Sequence, residues 1–101
     1  MTDYDISKAL ALAIGWPEVD VKSLDDERIW VYCGTRFVRD GYGPWRLFDY
    51  RDPVVIWPIA VRYDCFPYKS GGRWLVPGKI ELVYYDSAEK AVAIAVIRET
   101  T

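Results

Sequence analysis

Apolar residues at Ile6, Ala9, Leu10 and Ala13 follow the i, i+3, i+4, i+7 spacing of one buried helical face and predict a helix from about Tyr4 to Ile14. Thr2 followed by Asp5 forms a capping box at its start, Gly15 is placed to close its end, and Trp16-Pro17 prevents continuation. The pattern then lapses. Glu18 to Glu27 is acidic and irregular and reads as a surface loop. Arg28 to Cys33 alternates, with Ile29, Val31 and Cys33 on one side and Trp30 and Tyr32 on the other, a strand with apolar groups on both faces. Strand continues over Thr35 to Val38, the loop Asp40-Gly41-Tyr42-Gly43-Pro44 turns the chain, and Trp45 to Phe48 returns as a further strand.

In the second half the run Val54 to Val61 is balanced on local signals. Its β-branched residues favour a strand, whereas Asp52-Pro53 makes a good N-cap and first helical position. Pro58 fits least badly in the first turn of a late-starting helix, or at a bend. Phe66 to Lys69 and Trp74 to Val76 flank Ser70-Gly71-Gly72 and read as a hairpin; Pro77-Gly78 is a second turn, and Ile80, Leu82 and Tyr84 alternate along a third strand. The last element is a helix opened by a capping box of Asp86 and Glu89. Its face is Ala88, Ala91, Val92, Ala95 and Val96, and Ile94 and Ile97 widen the apolar surface until the helix is largely buried. Trp16, Trp30 and Trp57 are expected as core anchors.

Composition narrows what these elements can do. The 101 residues suffice for one domain, 1–101, and contain no His, Asn or Gln. Imidazole is therefore missing from every catalytic and metal scheme, and the side chains that read adenine bidentately are missing too. Cys33 and Cys65 lie in apolar stretches and are expected reduced and buried; no further Cys or His is there to complete a zinc site. The net charge of −2 conceals a segregated distribution. Residues 1–27 carry seven acids against Lys8 and Lys22, while residues 28–79 carry nine bases against four acids. A basic middle lies between acidic ends.

The order of features resembles that of the small phage and prophage proteins of the α/β/α-sandwich type, the NinX-like accessory proteins of lambdoid phages. The likeness is carried by an opening amphipathic helix ending in Gly15-Trp16 and a central Asp52-Pro53 followed by Trp57-Pro58-Ile59. An aromatic hairpin with Arg73-Trp74 follows, and Asp86-Ser87-Ala88 opens a closing Ala-rich helix. The resemblance implies that Asp52 to Tyr63 is helical and that the gene is of phage or prophage origin; it brings no catalytic residues. The expected fold is of the α+β kind, a small sandwich in which a mainly antiparallel sheet of four to six strands is packed by N-terminal, central and C-terminal helices.

Gly41-Tyr42-Gly43-Pro44 lacks the further glycine, Lys and Ser/Thr of a phosphate loop, and is read as a turn. Asp20, Asp25, Asp26 and Glu27 are read as solvated loop, and no Ser has a His to activate it. What remains is Arg interleaved with aromatics, a composition that holds protein partners or single strands. Tyr42, Trp45, Arg46, Arg73 and Trp74 are the candidate contact residues. The expectation is a chain that is not an enzyme and needs no cofactor or metal. It would act as a phage accessory protein in the bacterial cytoplasm by binding or inhibiting a host protein, with no membrane partner, as monomer or homodimer. The alternative is a nucleotide or single-stranded nucleic-acid binder.

Overall fold

In the computed structural model, which describes residues 2–23, 28–34, 41–42, 44–77 and 82–100, helix α1 spans Asp3–Ala13 and is capped as the sequence predicts. The Asp5 N–H donates to Thr2 Oγ1 and the Thr2 N–H donates to Asp5 Oδ2, both at 3.1 Å. At the other end Gly15 adopts φ +104°, the Trp16 N–H reaches the Ala11 carbonyl, and the Gly15 N–H reaches that of Leu12. That pair of bonds satisfies carbonyls the helix would otherwise leave orphaned. The described chain falls into two compact units, Met1–Asp49 and Tyr50–Thr101. The class is α+β with every strand pair antiparallel, and the strands are shared between two sheets, one in each unit, rather than gathered into one.

The first unit holds a four-stranded sheet in the order β1-β2-β4-β3, formed by Val21–Ser23, Ile29–Tyr32, Trp45–Phe48 and Gly41–Tyr42 respectively. Part of the expected acidic loop is thus structured: Glu18–Asp20 makes a 3-10 turn and Val21–Ser23 pairs with Ile29–Val31. Three residues with one apolar position are too short to announce a strand, and the pairing partner supplies what local sequence lacks. Two residues of the expected turn, Gly41 and Tyr42, likewise pair as β3. Register puts Val21, Val31, Ile29 and Phe48 on one face, all buried, and α1 packs against β1 and β2 with Ile6, Leu10 and Ala11 fully buried. The strand expected over Thr35 to Val38 lies outside the described residues.

In the second unit, α2 spans Pro53–Tyr63, so the ambiguous segment is helical. Asp52 caps it, its Oδ1 accepting from the Val54 N–H at 3.0 Å. The helix starts early, not late, and Pro58 sits inside it rather than in the first turn. Pro58 cannot donate to the Val54 carbonyl one turn back, a loss that is tolerable here because Val54 is 66% exposed and water can serve that oxygen. The helix ends with Asp64 in the left-handed region (φ 54°), the Cys65 N–H bonding the Ala60 carbonyl and the Asp64 N–H that of Val61, the same closure as at Gly15.

A three-stranded sheet follows, β5 (Tyr68–Ser70), β6 (Arg73–Pro77) and β7 (Leu82–Tyr85), in sequential order. Gly71 and Gly72 both have positive φ, 58° and 77°, the backbone of a two-residue hairpin turn whose twist matches that of the strands. Helix α3 (Ala88–Thr100) is capped by Ser87 and not by Asp86: Ser87 Oγ accepts from the Lys90 N–H at 3.0 Å. It touches α2 on one side and β6 and β7 on the other, and Ala91 through Val96 are all buried. This explains its apolar circumference. α3 is the middle layer of its unit, and small Ala residues let its neighbours approach. Truncating Ile56, fully buried on the inner side of α2, to Ala would cost about 2–5 kcal/mol. Among the described residues no helix is long and apolar enough to cross a membrane.

Candidate functional site

Side chains alternate across a strand, so Trp45 and Arg46 leave β4 on opposite faces. Register places Trp45 opposite Tyr32 and Arg46 opposite Val31. The other face of the first sheet therefore carries Lys22, Trp30, Leu47, Tyr32 and Trp45, with Trp30 buried and Lys22 and Tyr32 exposed. The Tyr32 and Trp45 rings meet edge to face, centroids 5.3 Å apart at 64°. Tyr32 is 39% exposed and Trp45 half-buried. The Lys22 Nζ stands 5.4 Å from the centroid of the Trp45 ring. Tyr42 pairs with Trp45 in the backbone register of β3.

The second unit repeats the arrangement. Arg73 and Trp74 are split across β6, Arg73 exposed and Trp74 half-buried. Register sets Lys69, Trp74 and Tyr85 in one row across β5, β6 and β7. The Lys69 Nζ lies 6.0 Å from the Trp74 ring, and the Lys90 Nζ, from the first turn of α3, lies 6.0 Å from the Tyr85 ring. Each unit thus presents a Trp and a Tyr on adjacent strands, flanked by lysine ammonium groups over the aromatic faces, where the ring quadrupole attracts a cation.

The geometry adds one feature to the site and corrects one expectation. The arginines adjoining the tryptophans are not their cationic partners, because consecutive residues cannot share a face. Lysines on other strands take that place, Lys22 over Trp45 and Lys69 over Trp74. Lys22 lay in what reads as loop, so only the register of β1 on β2 reveals it. Trp57, expected in the core, is 36% exposed on α2, Trp16 is half-buried, and only Trp30 of the three is buried. Tyr42, Trp45 and Arg46 belong to the first unit, Arg73 and Trp74 to the second.

Both cysteines are free thiols. Cys65 is buried, its Sγ directed at the Tyr63 carbonyl at 3.4 Å, while Cys33 is only half-buried, contrary to expectation, because it follows the last paired residue of β2. Burial, with Glu99 and Asp64 adding negative charge nearby, pushes the Cys65 thiol pKa up from its ordinary 9.0. That is the opposite of an activated nucleophile. Among the described residues no group of three or more Asp, Glu or Cys side chains could hold a metal ion.

A stretch of 50 residues of this chain is 42% identical to a lipoprotein signal peptidase of Methylorubrum extorquens (strain PA1). It amounts to 48% of this chain and only 28% of that protein, so the likeness spans well under a third of the relative. No protein-family model matches, and no solved structure matches. The peptidase match runs against the expectation that this chain is not an enzyme: over 50 residues it is 42% identical to one. The lack of His bears only on chemistry carried by these 101 residues, and says nothing of what else such a segment is joined to or serves.

Proposed function

We propose that this chain is a contact module of the phage or prophage α/β/α-sandwich kind, working in the bacterial cytoplasm by binding a host protein through the Lys22–Tyr32–Trp45 face of its first sheet. One observation carries the reading: two large rings are left at the surface of a sheet, fixed edge to face, with a lysine over one of them. Aromatic side chains lose little conformational freedom on binding and dominate interface hot spots, most of all when pre-set in geometry. The helix Pro53–Tyr63, which the phage resemblance implies against the local preference of its Val and Ile residues, supports the assignment of kind.

The test is a titration of the captured host partner against wild type, Trp45→Ala and Lys22→Ala. Loss of roughly tenfold or more in affinity, with a fall in thermal midpoint no larger than the lost lysine–ring contact accounts for, supports the reading. A drop in midpoint without a selective binding defect sinks it. A partner that proves to be single-stranded nucleic acid would betray itself by affinity falling steeply between about 50 and 200 mM salt.

A second reading is favoured by the partial peptidase match: this chain takes part in the processing of lipoprotein signal peptides. Binding of lipoprotein-derived signal peptides, and their cleavage, measured with this chain would support it. No binding and no cleavage would exclude it.

A further inference from the structure

Strand pairing in the second unit lines up four side chains that the proposed contact face leaves unused. Lys69, Trp74 and Tyr85 stand opposite one another on β5, β6 and β7, so all three leave the same face of the sheet. The Lys69 Nζ lies 6.0 Å from the Trp74 ring, and Lys90, in the first turn of α3, sets its Nζ 6.0 Å from the Tyr85 ring. The order is ammonium, ring, ring, ammonium. Val76, on the same face two residues along β6, is fully buried, whereas both rings are half-buried and Lys69 is exposed, so the cover over this face ends at the row. Among the described residues neither lysine has a carboxylate in ion-pair reach. Glu89, next to Lys90 in sequence, instead accepts from the Ser87 hydroxyl at 3.3 Å.

We infer that this row is a platform for single-stranded nucleic acid, with successive bases resting on Trp74 and Tyr85 and the Lys69 and Lys90 ammonium groups holding the phosphates on either side. The alternation selects the ligand. A chain in which planar groups alternate with anions engages both rings and both cations; an acidic peptide engages the cations and leaves the rings idle, and a lone nucleotide uses half of the row. An ammonium that turns one side to a ring keeps N–H donors for a phosphate oxygen. Neighbouring strands stand about 4.8 Å apart, somewhat more than the ~3.4 Å of stacked bases, so each base is splayed onto its own ring. The chain has no Asn or Gln to read base edges, and both lysines are turned to phosphates, so binding is indifferent to sequence. With a net charge of −2 the whole chain offers no long-range attraction, and the affinity is local and modest. The inference concerns the second unit alone and is independent of the Lys22–Tyr32–Trp45 face of the first.

Fluorescence anisotropy of a labelled oligothymidylate of about ten nucleotides, titrated with the full chain at about 50 to 200 mM salt, is the test. A dissociation constant of about 10 µM to 1 mM is expected at the low-salt end, with log affinity falling against log salt at a slope of about −1.4 for two phosphates. Lys69→Ala, at an exposed position, should halve that slope to about −0.7, with a fall in thermal midpoint no larger than the lost lysine–ring contact accounts for. Arg62→Ala removes a cation from the same unit away from the row and should leave the slope unmoved. Trp74→Ala should weaken binding roughly tenfold, and Trp74→Phe, which keeps a ring in the sheet, should recover most of the loss. No anisotropy change up to about 1 mM chain overturns the inference. So does a slope that Lys69→Ala leaves unchanged or that Arg62→Ala lowers as far, and so does polyglutamate competing as well as unlabelled oligothymidylate, the mark of an acidic-peptide surface.

Discussion

The Lys22 ammonium sits 5.4 Å from the centre of the Trp45 ring, reaching it from β1 across the intervening strand β2. Placed there, it covers one ring face while Tyr32 meets the ring from the neighbouring strand. A double-mutant cycle of Lys22→Ala and Trp45→Ala should give a coupling of about 0.5–1 kcal/mol in thermal or denaturant unfolding. Arg46→Ala paired with Trp45→Ala should give none, since Arg46 leaves the opposite face.

Replacing Pro58 by Ala should stabilise the chain by about 2 kcal/mol, because it restores the bond to the Val54 carbonyl and relieves the ring's clash, less the entropy the proline removes from the unfolded state. Asp52→Ala should act the other way, losing about 1 kcal/mol with the N-cap. Urea midpoints of both variants against wild type would check the pair, and a neutral Pro58→Ala would mean that α2 does not run through Pro58.

Asp64 and Gly15 close their helices by the same pair of bonds, but only Gly15 is free of strain at positive φ. Asp64→Gly should therefore raise stability by about 1 kcal/mol, and Gly15→Ala should lower it by about 1–2 kcal/mol. An added Cβ at Gly15 meets nothing within 4 Å, so the cost there is conformational and not steric. Calorimetric midpoints moving in opposite directions are the expected result.

The two thiols should separate under Ellman titration of native protein, Cys33 reacting first and Cys65 only on unfolding. The pH dependence follows from Cys65 and Asp5. The native chain holds the Cys65 proton more tightly than the unfolded chain, so the unfolded chain binds fewer protons above about pH 9 and stability falls as pH rises through that range. Cys65→Ala should flatten this alkaline limb. On the acid side the Thr2 backbone and hydroxyl hold the Asp5 carboxyl below its ordinary 3.8, so the capping box contributes fully above that value and is lost as pH falls below it.

What the sequence determined by itself is what local chemistry decides. The Thr2–Asp5 box, the Gly15 closure and the Gly71-Gly72 turn each depend on residues within one or two turns of one another, and each is present, whereas the buried face of α1 is rotated from the expected one, with Ser7 and Ala11 buried beside Ile6 and Leu10 and Ala9 and Ala13 only half-buried. The helix over Pro53–Tyr63 was only half legible: its cap was written in Asp52-Pro53, its β-branched interior argued the other way, and burial against α3 tipped the balance. Cap choice at α3 passed from Asp86 to Ser87 because a shift of one residue in helix phase changes which oxygen reaches the Lys90 N–H. The contact face lay beyond sequence altogether in its cation. Alternation alone separates Trp45 from Arg46, but which lysine replaces the arginine depends on strand order, and β1 owes its existence to pairing with β2 rather than to its own three residues. Long-range register is a property of the folded chain, since hydrogen bonds between strands carry no mark in the residues that make them.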